Sequence, residues 1–393
     1  MASMLNADSA GRAGAYVRQP TGYHAFIPRP LPPADPPLDL TLARSGLLSD
    51  ATLALGRLDA AAQLIPNPDL FVGMYVHREA VLSSQIEGTQ ASLTDVLVFE
   101  VEGEGEFPID VSEVVNYVGA MNYGLARLSE LPLSLNLIHE IHRELMRGVR
   151  GENRDPGEFR RTQNWIGPAR STLATATYVP PPPQLLMEHL GNLESFIYDE
   201  SYPSLVRAGM VHAQFETIHP FLDGNGRVGR LLITFMLCQQ RVLSRPLLYL
   251  SYFFKRNRAE YYDRLQEVRL KGRWEEWLDF FLRGVIETSN EAWDTARAIL
   301  ELMQKHRQIL QERRASPAAL RAHELLWRNP IVTVPFLRRE LHLTFAGANG
   351  VVERLVELGM LVEQTGFRRN RRFAYSDYLR LFVEGTEAGA GRA

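Results

Sequence analysis

His219-Pro220-Phe221-Leu222-Asp223-Gly224-Asn225-Gly226-Arg227-Val228-Gly229-Arg230 occupies the turn between two helical stretches, one ending at Ile218 and the next running through Leu231–Cys238. Gly224 and Gly226 tolerate backbone torsions closed to other residues. Their N–H groups can therefore converge on an anion at the start of the following helix, whose dipole also favours phosphate. Arg227 and Arg230 are three residues apart and share a face of that helix, a pair of charges suited to a polyphosphate. Asp223 supplies a hard oxygen for a Mg²⁺ that bridges phosphates, and His219 is placed to take a proton from an attacking hydroxyl. Each piece alone has a plain reading: a histidine near a helix end usually makes structural hydrogen bonds, and Gly-Asn-Gly usually just turns the chain.

Outward from this segment the pattern is mainly α. Asp110–Glu130, Leu135–Gly148, Gln184–Asp199 and Ser204–Ile218 carry apolar residues at three- and four-residue spacing. Asn164–Pro183 differs: Thr175, Thr177, Tyr178 and Val179 precede four prolines and predict a short β-hairpin or extended flap. Residues 1–37 hold seven prolines and read as an extended or partly disordered arm without chemistry. The expected organisation is an arm (1–37), an N-terminal extension (38–110), a helical core (111–314), a small domain opened by Ser316-Pro317 (315–382) and a frayed tail (383–393).

The 393 residues carry 43 Lys+Arg and 46 Asp+Glu, a net charge of −3, with 45% hydrophobic content. That composition excludes a mainly disordered chain and a uniformly basic coat for nucleic acid or membrane. Cys238 is the single cysteine, so neither a disulfide framework nor a thiolate metal cluster is available. With no secretory leader pattern and no apolar run of membrane-spanning length, a cytoplasmic protein without a membrane partner is expected.

The His219–Arg230 stretch resembles the Fic family signature, HPFxxGNGRxxR, at every specified position. The resemblance implies a Fic-type helical core and a protein adenylyltransferase: AMP moves from ATP to a Ser, Thr or Tyr hydroxyl of a target protein or of the chain itself, and pyrophosphate leaves. His219 would be the general base and Asp223 the Mg²⁺ ligand. Gly224, Asn225 and Gly226 would form the anion cradle, with Arg227 and Arg230 on the phosphates. Some relatives that phosphorylate depart from the pattern in this loop, and this chain does not. The segment Ser251–Leu265 is similar to the family's adenine border, which makes Asn257 and Tyr261 candidate base contacts; periodicity alone makes the two tyrosines, Tyr261 and Tyr262, packing residues. The 164–183 flap is similar to the family's target-docking hairpin.

Ser83-Ser84-Gln85-Ile86-Glu87-Gly88 follows the apolar helix Phe71–Leu82 and reads on its own as a polar helix end stopped by glycine. Its spacing also matches the inhibitory motif [S/T]xxxE[G/N] of one class of Fic proteins. The resemblance implies that Glu87, with Ser83 four residues before it, pairs with Arg230 and keeps ATP out of an in-line pose. In some relatives the same glutamate supports removal of AMP.

The last domain carries ten arginines against six acids over 315–382, a local +4 hidden in the total of −3. Helical stretches at Leu320–Trp327, Thr333–Leu341 and Ala346–Leu358, followed by the basic hairpin Gly366–Tyr375, resemble a winged helix-turn-helix module. Its partner is DNA or a protein, since no aromatic or Asn/Gln base reader is evident on the third helix. A second copy of the chain is a further candidate partner. Alternatives to the adenylyltransferase are a DNA-binding regulator with a Fic core, a Fic transferase of another nucleotide-derived group, and a de-AMPylase. His139-Glu140-Ile141-His142 lacks zinc-protease spacing and reads as a solvated helix face, and no P-loop sequence occurs.

Overall fold

The computed structural model describes residues 11–65, 67–103, 107–168 and 170–387. The first ten residues of the expected arm, Ala169 of the flap and residues 388–393 of the expected tail lie outside them. The helices are α1 (Leu42–Leu64), α2 (Pro68–Ile86), α3 (Leu93–Glu102), α4 (Ile109–Arg127), α5 (Leu135–Leu145), α6 (Leu186–Ile197), α7 (Ser204–Ile218) and α8 (Asn225–Gln239). They continue with α9 (Ser251–Arg256), α10 (Arg258–Lys271), α11 (Trp274–Glu312), α12 (Pro317–Leu326), α13 (Val334–Leu341), α14 (Phe345–Glu357) and α15 (Ser376–Leu379). The strands are β1 (Gly14–Arg18), β2 (His24–Pro28), β3 (Ile331–Thr333), β4 (Val362–Glu363) and β5 (Arg372–Ala374). Mainly α is thus the observed class, with small antiparallel sheets. No described helix is long and apolar enough to cross a membrane.

The chain forms two compact units, residues up to Gly56 with Gly119–Thr288, and Arg57–Val118 with residues from Ser289 onward. In the first, α7 is buried along nearly its whole length, including the polar side chains of Arg207, His212, Gln214 and Glu216. It packs closely on α8 because Gly229 has no side chain: a Cβ there would stand 2.6 Å from the Glu216 carboxylate and 3.2 Å from the Phe215 ring. Trp277 of α11 donates its indole N–H to the Gly209 carbonyl at 2.8 Å, which fixes α11 against the same helix.

The N-terminal arm departs from expectation. Residues 14–28 form an antiparallel hairpin in which Ala15 faces Ile27 and Tyr16 faces Phe26, and the Phe26 N–H donates to Val179 of the flap at 2.9 Å. Arg12 binds Glu275 with two nitrogens at 2.7 and 2.8 Å and also reaches the carbonyls of Pro36 and Pro37. The prolines remove donors and bend the chain. An aromatic on each strand, Tyr16 and Phe26 with ring centroids 5.3 Å apart, supplies the packing that proline counting overlooks. The flap itself is paired at one point, Ile166 with Tyr178.

In the second unit, α2 carries Phe71 and Tyr75 into an aromatic cluster with Phe382, and Arg78 pairs with Glu291 at 2.6 Å. The C-terminal elements run α12, β3, α13, α14, β4, β5, with the strands in the order β3-β5-β4. Trp327 packs edge-on against Tyr375 and Tyr378, whose own rings stack, and the Tyr375 hydroxyl meets His306 Nδ1 at 2.6 Å. Asn349 corrects the reading of the third helix as lacking an asparagine: it lies within α14, where it bonds Glu353 at 2.8 Å and Arg371 at 3.2 Å.

Candidate nucleotide site

The geometry begins at the end of α7. The last carbonyls of a helix have no partner within it, and here each is capped from another segment. Arg269 donates to Glu216 O (3.0 Å), Tyr178 to Thr217 O (2.6 Å), and Arg160 to Ile218 O (3.3 Å) and His219 O (3.0 Å). Asn164 adds a bond to His219 O at 3.2 Å. Two guanidinium groups at this end also suit the helix dipole. Burial lowers Arg160 to about 10, which leaves it charged at neutral pH. Held this way, His219 adopts a left-handed backbone (φ 50°, ψ 62°), a conformation that costs a non-glycine residue roughly 1–2 kcal/mol.

The loop that follows is pinned from inside. Asn225 is buried and turns both ends of its side chain to Phe221, accepting from its N–H and donating to its carbonyl, both at 2.8 Å. His142 of α5 lies flat on the Phe221 ring, centroids 3.7 Å apart and planes within 5°. Gly157 N–H donates to His142 Nδ1 at 2.8 Å, so Nε2 carries the proton and donates to the Asp223 carbonyl at 3.0 Å. Burial drives this imidazole down to about 4, so it is neutral. With its carbonyl held inward, Asp223 turns its carboxylate outward, 44% exposed. Gly224 then caps α8 at φ 77°, a torsion that glycine alone adopts cheaply.

On the first turns of α8 stand the two arginines, both about 95% buried. Arg227 reaches Met146 Sδ at 3.5 Å and lies 3.8 Å from the Asp223 carboxylate, while its Nε and Nη1 have no hydrogen-bond partner among the described residues. A buried guanidinium with unsatisfied donors, beside the N–H groups of a helix N-terminus, is built for an anion. His219 Nδ1 is buried 3.9 Å from the Glu216 carboxylate.

Residues 45–126 match the Fic/DOC family N-terminal domain, and residues 132–237 match the Fic/DOC family domain. The chain therefore carries both domains of that family. The Fic domain so defined contains α5 through most of α8 and the whole His219–Arg230 loop. A protein adenylyltransferase Fic of Aedes aegypti is 32% identical over 192 residues, 46% of this chain and 34% of that protein. One of Drosophila grimshawi is 30% identical over 224 residues, 55% of this chain and 42% of that one. The chain thus spans about two fifths or less of the length of these curated relatives. Among solved structures, a Fic family protein from Desulfovibrio desulfuricans shares the fold at a TM-score of 0.57 and 19% identity, over 86% of this chain and 97% of that one.

Not every candidate residue joins this Fic loop. Tyr261 is 1% exposed; its hydroxyl bonds His212 Nε2 at 2.9 Å and its ring stacks on Phe254 at 4.4 Å, so it is a packing residue and not a base contact. Asn257 is half-buried at the break between α9 and α10, where its side chain donates to Phe253 O at 3.0 Å. Ser83 is fully buried in α2, and Glu87, at the end of that helix, is exposed. Glu87 belongs to the second unit and Arg230 to the first. Beside the flap, a groove of about 640 Å³ is lined by Tyr16, Tyr23 and His24 of the hairpin and by Leu173, Thr177 and Val179.

Sequence reading missed His142, Arg160, Asn164 and Arg269. His142 was legible: it shares the buried face of α5 with Leu137, Ile138, Ile141 and Leu145, so the expected solvated face is corrected to a buried clamp. Glu140, on the other side, bonds Arg127 and Tyr123. The two arginines carry no sequence signal, since what buries them is a set of carbonyls remote along the chain.

Proposed function

We propose that this chain is a protein adenylyltransferase that binds ATP on the 219–230 loop. Arg227 carries the reading: two buried, unsatisfied N–H donors at a helix N-terminus call for a polyanion. The N–H groups of Asn225 and Gly226 would meet phosphate oxygens, with Arg227 and Arg230 neutralising them. Among the described residues no cluster of three or more metal-ligating side chains exists, whereas the single exposed carboxylate of Asp223 fits a Mg²⁺ carried by the nucleotide. When bound, the ion would withdraw charge from the phosphates. A target Ser, Thr or Tyr hydroxyl attacks the α-phosphorus; the new P–O bond forms as the bond to pyrophosphate breaks, and His219 takes the hydroxyl proton. The target segment would lie along the 164–183 flap.

Glu87 would act as a brake on Arg230, in keeping with its spacing from Ser83 and its exposure. The test is Glu87→Gly, incubated with ATP labelled at either the α or the γ phosphate and with a cell lysate, followed by mass-spectrometric mapping of the modified peptide. Label from the α position should rise at least tenfold over wild type. Label from the γ position alone would replace AMP transfer with phosphorylation, and unchanged labelling would remove the brake.

A further inference from the structure

We propose that residues 316–375 read duplex DNA, with α14 in the major groove and the loop between β4 and β5 on the phosphate backbone. The order α12, β3, α13, α14, β4, β5 brings two helices together across the three-residue turn His342–Thr344, the spacing of a helix-turn-helix. Thr333 and Thr344 cap the two helices, accepting from Phe336 N at 3.2 Å and Gly347 N at 3.1 Å.

The outer face of α14 is unusual for a solvated helix. Phe345, Ala346, Gly347 and Gly350 are all exposed there. Glycine is the costliest ordinary residue in a helix interior, and nothing in this unit requires it: a Cβ on Gly350 would meet no atom within 4 Å, and one on Gly347 would meet chiefly its own cap, Thr344, at 3.2 Å. A face kept small against helix propensity lets the backbone approach something outside the fold. Phenylalanine and alanine at its start suit thymine methyl groups.

Charge selects the occupant. From Gln364 to Arg371 the loop carries three arginines and no acid, while Arg372, the first residue of β5, pairs with Glu102. Arg368 and Arg369 are exposed and make no ion pair among the described residues, and Arg371 reaches back to Asn349 of α14 at 3.2 Å, tying loop and helix into one surface. Unpaired guanidinium groups flanking a small-residue helix match phosphates flanking a groove.

The full-length chain is incubated with labelled duplex DNA randomised over a central segment, and bound sequences are selected and titrated with salt. A recurrent site should be enriched. Replacing Arg368 and Arg369 by alanine should reduce the slope of log K against log[salt] by about 1.8, at roughly 0.9 for each phosphate no longer neutralised. Gly350→Leu should raise the melting temperature, because leucine is the better helix former, yet weaken binding to the selected site at least tenfold. Absence of duplex binding at low salt overturns the proposal, as does binding that neither variant alters. Variants that change self-association of the chain and leave DNA binding intact would make this face a protein contact instead.

Discussion

Arginine appears in this chain in two opposite settings. Arg227 and Arg230 are about 95% buried in the first turns of α8, whereas Arg368 and Arg369 stand in solvent on the loop between β4 and β5. The buried pair has already met its desolvation cost during folding, and its donors are fixed in direction before a ligand arrives, so each contact is short-ranged and weakly screened. Solvent screens the exposed pair, which works through number and long-range attraction and therefore through salt. Large losses should follow from touching the first region, and graded ones from touching the second.

His219→Ala should cut AMP transfer by the Glu87→Gly protein at least 10³-fold while nucleotide affinity, read by calorimetry, changes little. Arg227→Ala should weaken both by 10²-fold or more. Equal, modest effects on both would erase the contrast with the exposed loop. His142→Phe keeps the ring on Phe221 but loses the bonds to Asp223 and Gly157, and should lower turnover roughly 10–100-fold. His142→Gln, which can both accept and donate, should restore most of it, and a shift in the Mg²⁺ dependence that reverts with glutamine would separate positioning from general damage.

His212 sharpens the comparison through pH. It is fully buried, with Nδ1 on Gly229 O and Nε2 on the Tyr261 hydroxyl, both at 2.9 Å, and burial lowers it to about 3. The unfolded chain, near 6.5, binds more protons below that value, so this stability is fully present above pH 6.5 and is lost as pH falls toward 3. Between pH 7 and pH 5 the loss should be about 2 kcal/mol, seen as a falling melting temperature that His212→Gln flattens. Least affected should be Arg368→Ala, with a change in stability within about 0.5 kcal/mol and its effect confined to salt-dependent binding.

Helix existence was legible from periodicity because α4, α5, α6, α7 and α14 each turn an apolar stripe, or every side, toward a core. Their ends moved by a few residues at most, for example Ala346–Leu358 against Phe345–Glu357. The N-terminal hairpin was not legible. Proline density pointed to an arm, but Tyr16, Phe26 and the Arg12–Glu275 pair act across more than 200 residues of chain in the last case. For Tyr261 the periodicity, which made it a packing residue, agrees with its burial against His212 and Phe254, whereas the base contact rested on the resemblance alone.

The sequence by itself marked the 219–230 loop as the candidate site, because the resemblance to the Fic signature rests on residue identities at fixed spacing within one short segment. Only the tertiary structure decided what holds that loop in place. Arg160, Asn164, Tyr178 and Arg269 reach the end of α7 from segments as far as 59 residues away, and His142 reaches Asp223 across 81. Hydrogen bonds of that kind depend on where carbonyls meet donors in space, a property that no window of sequence contains.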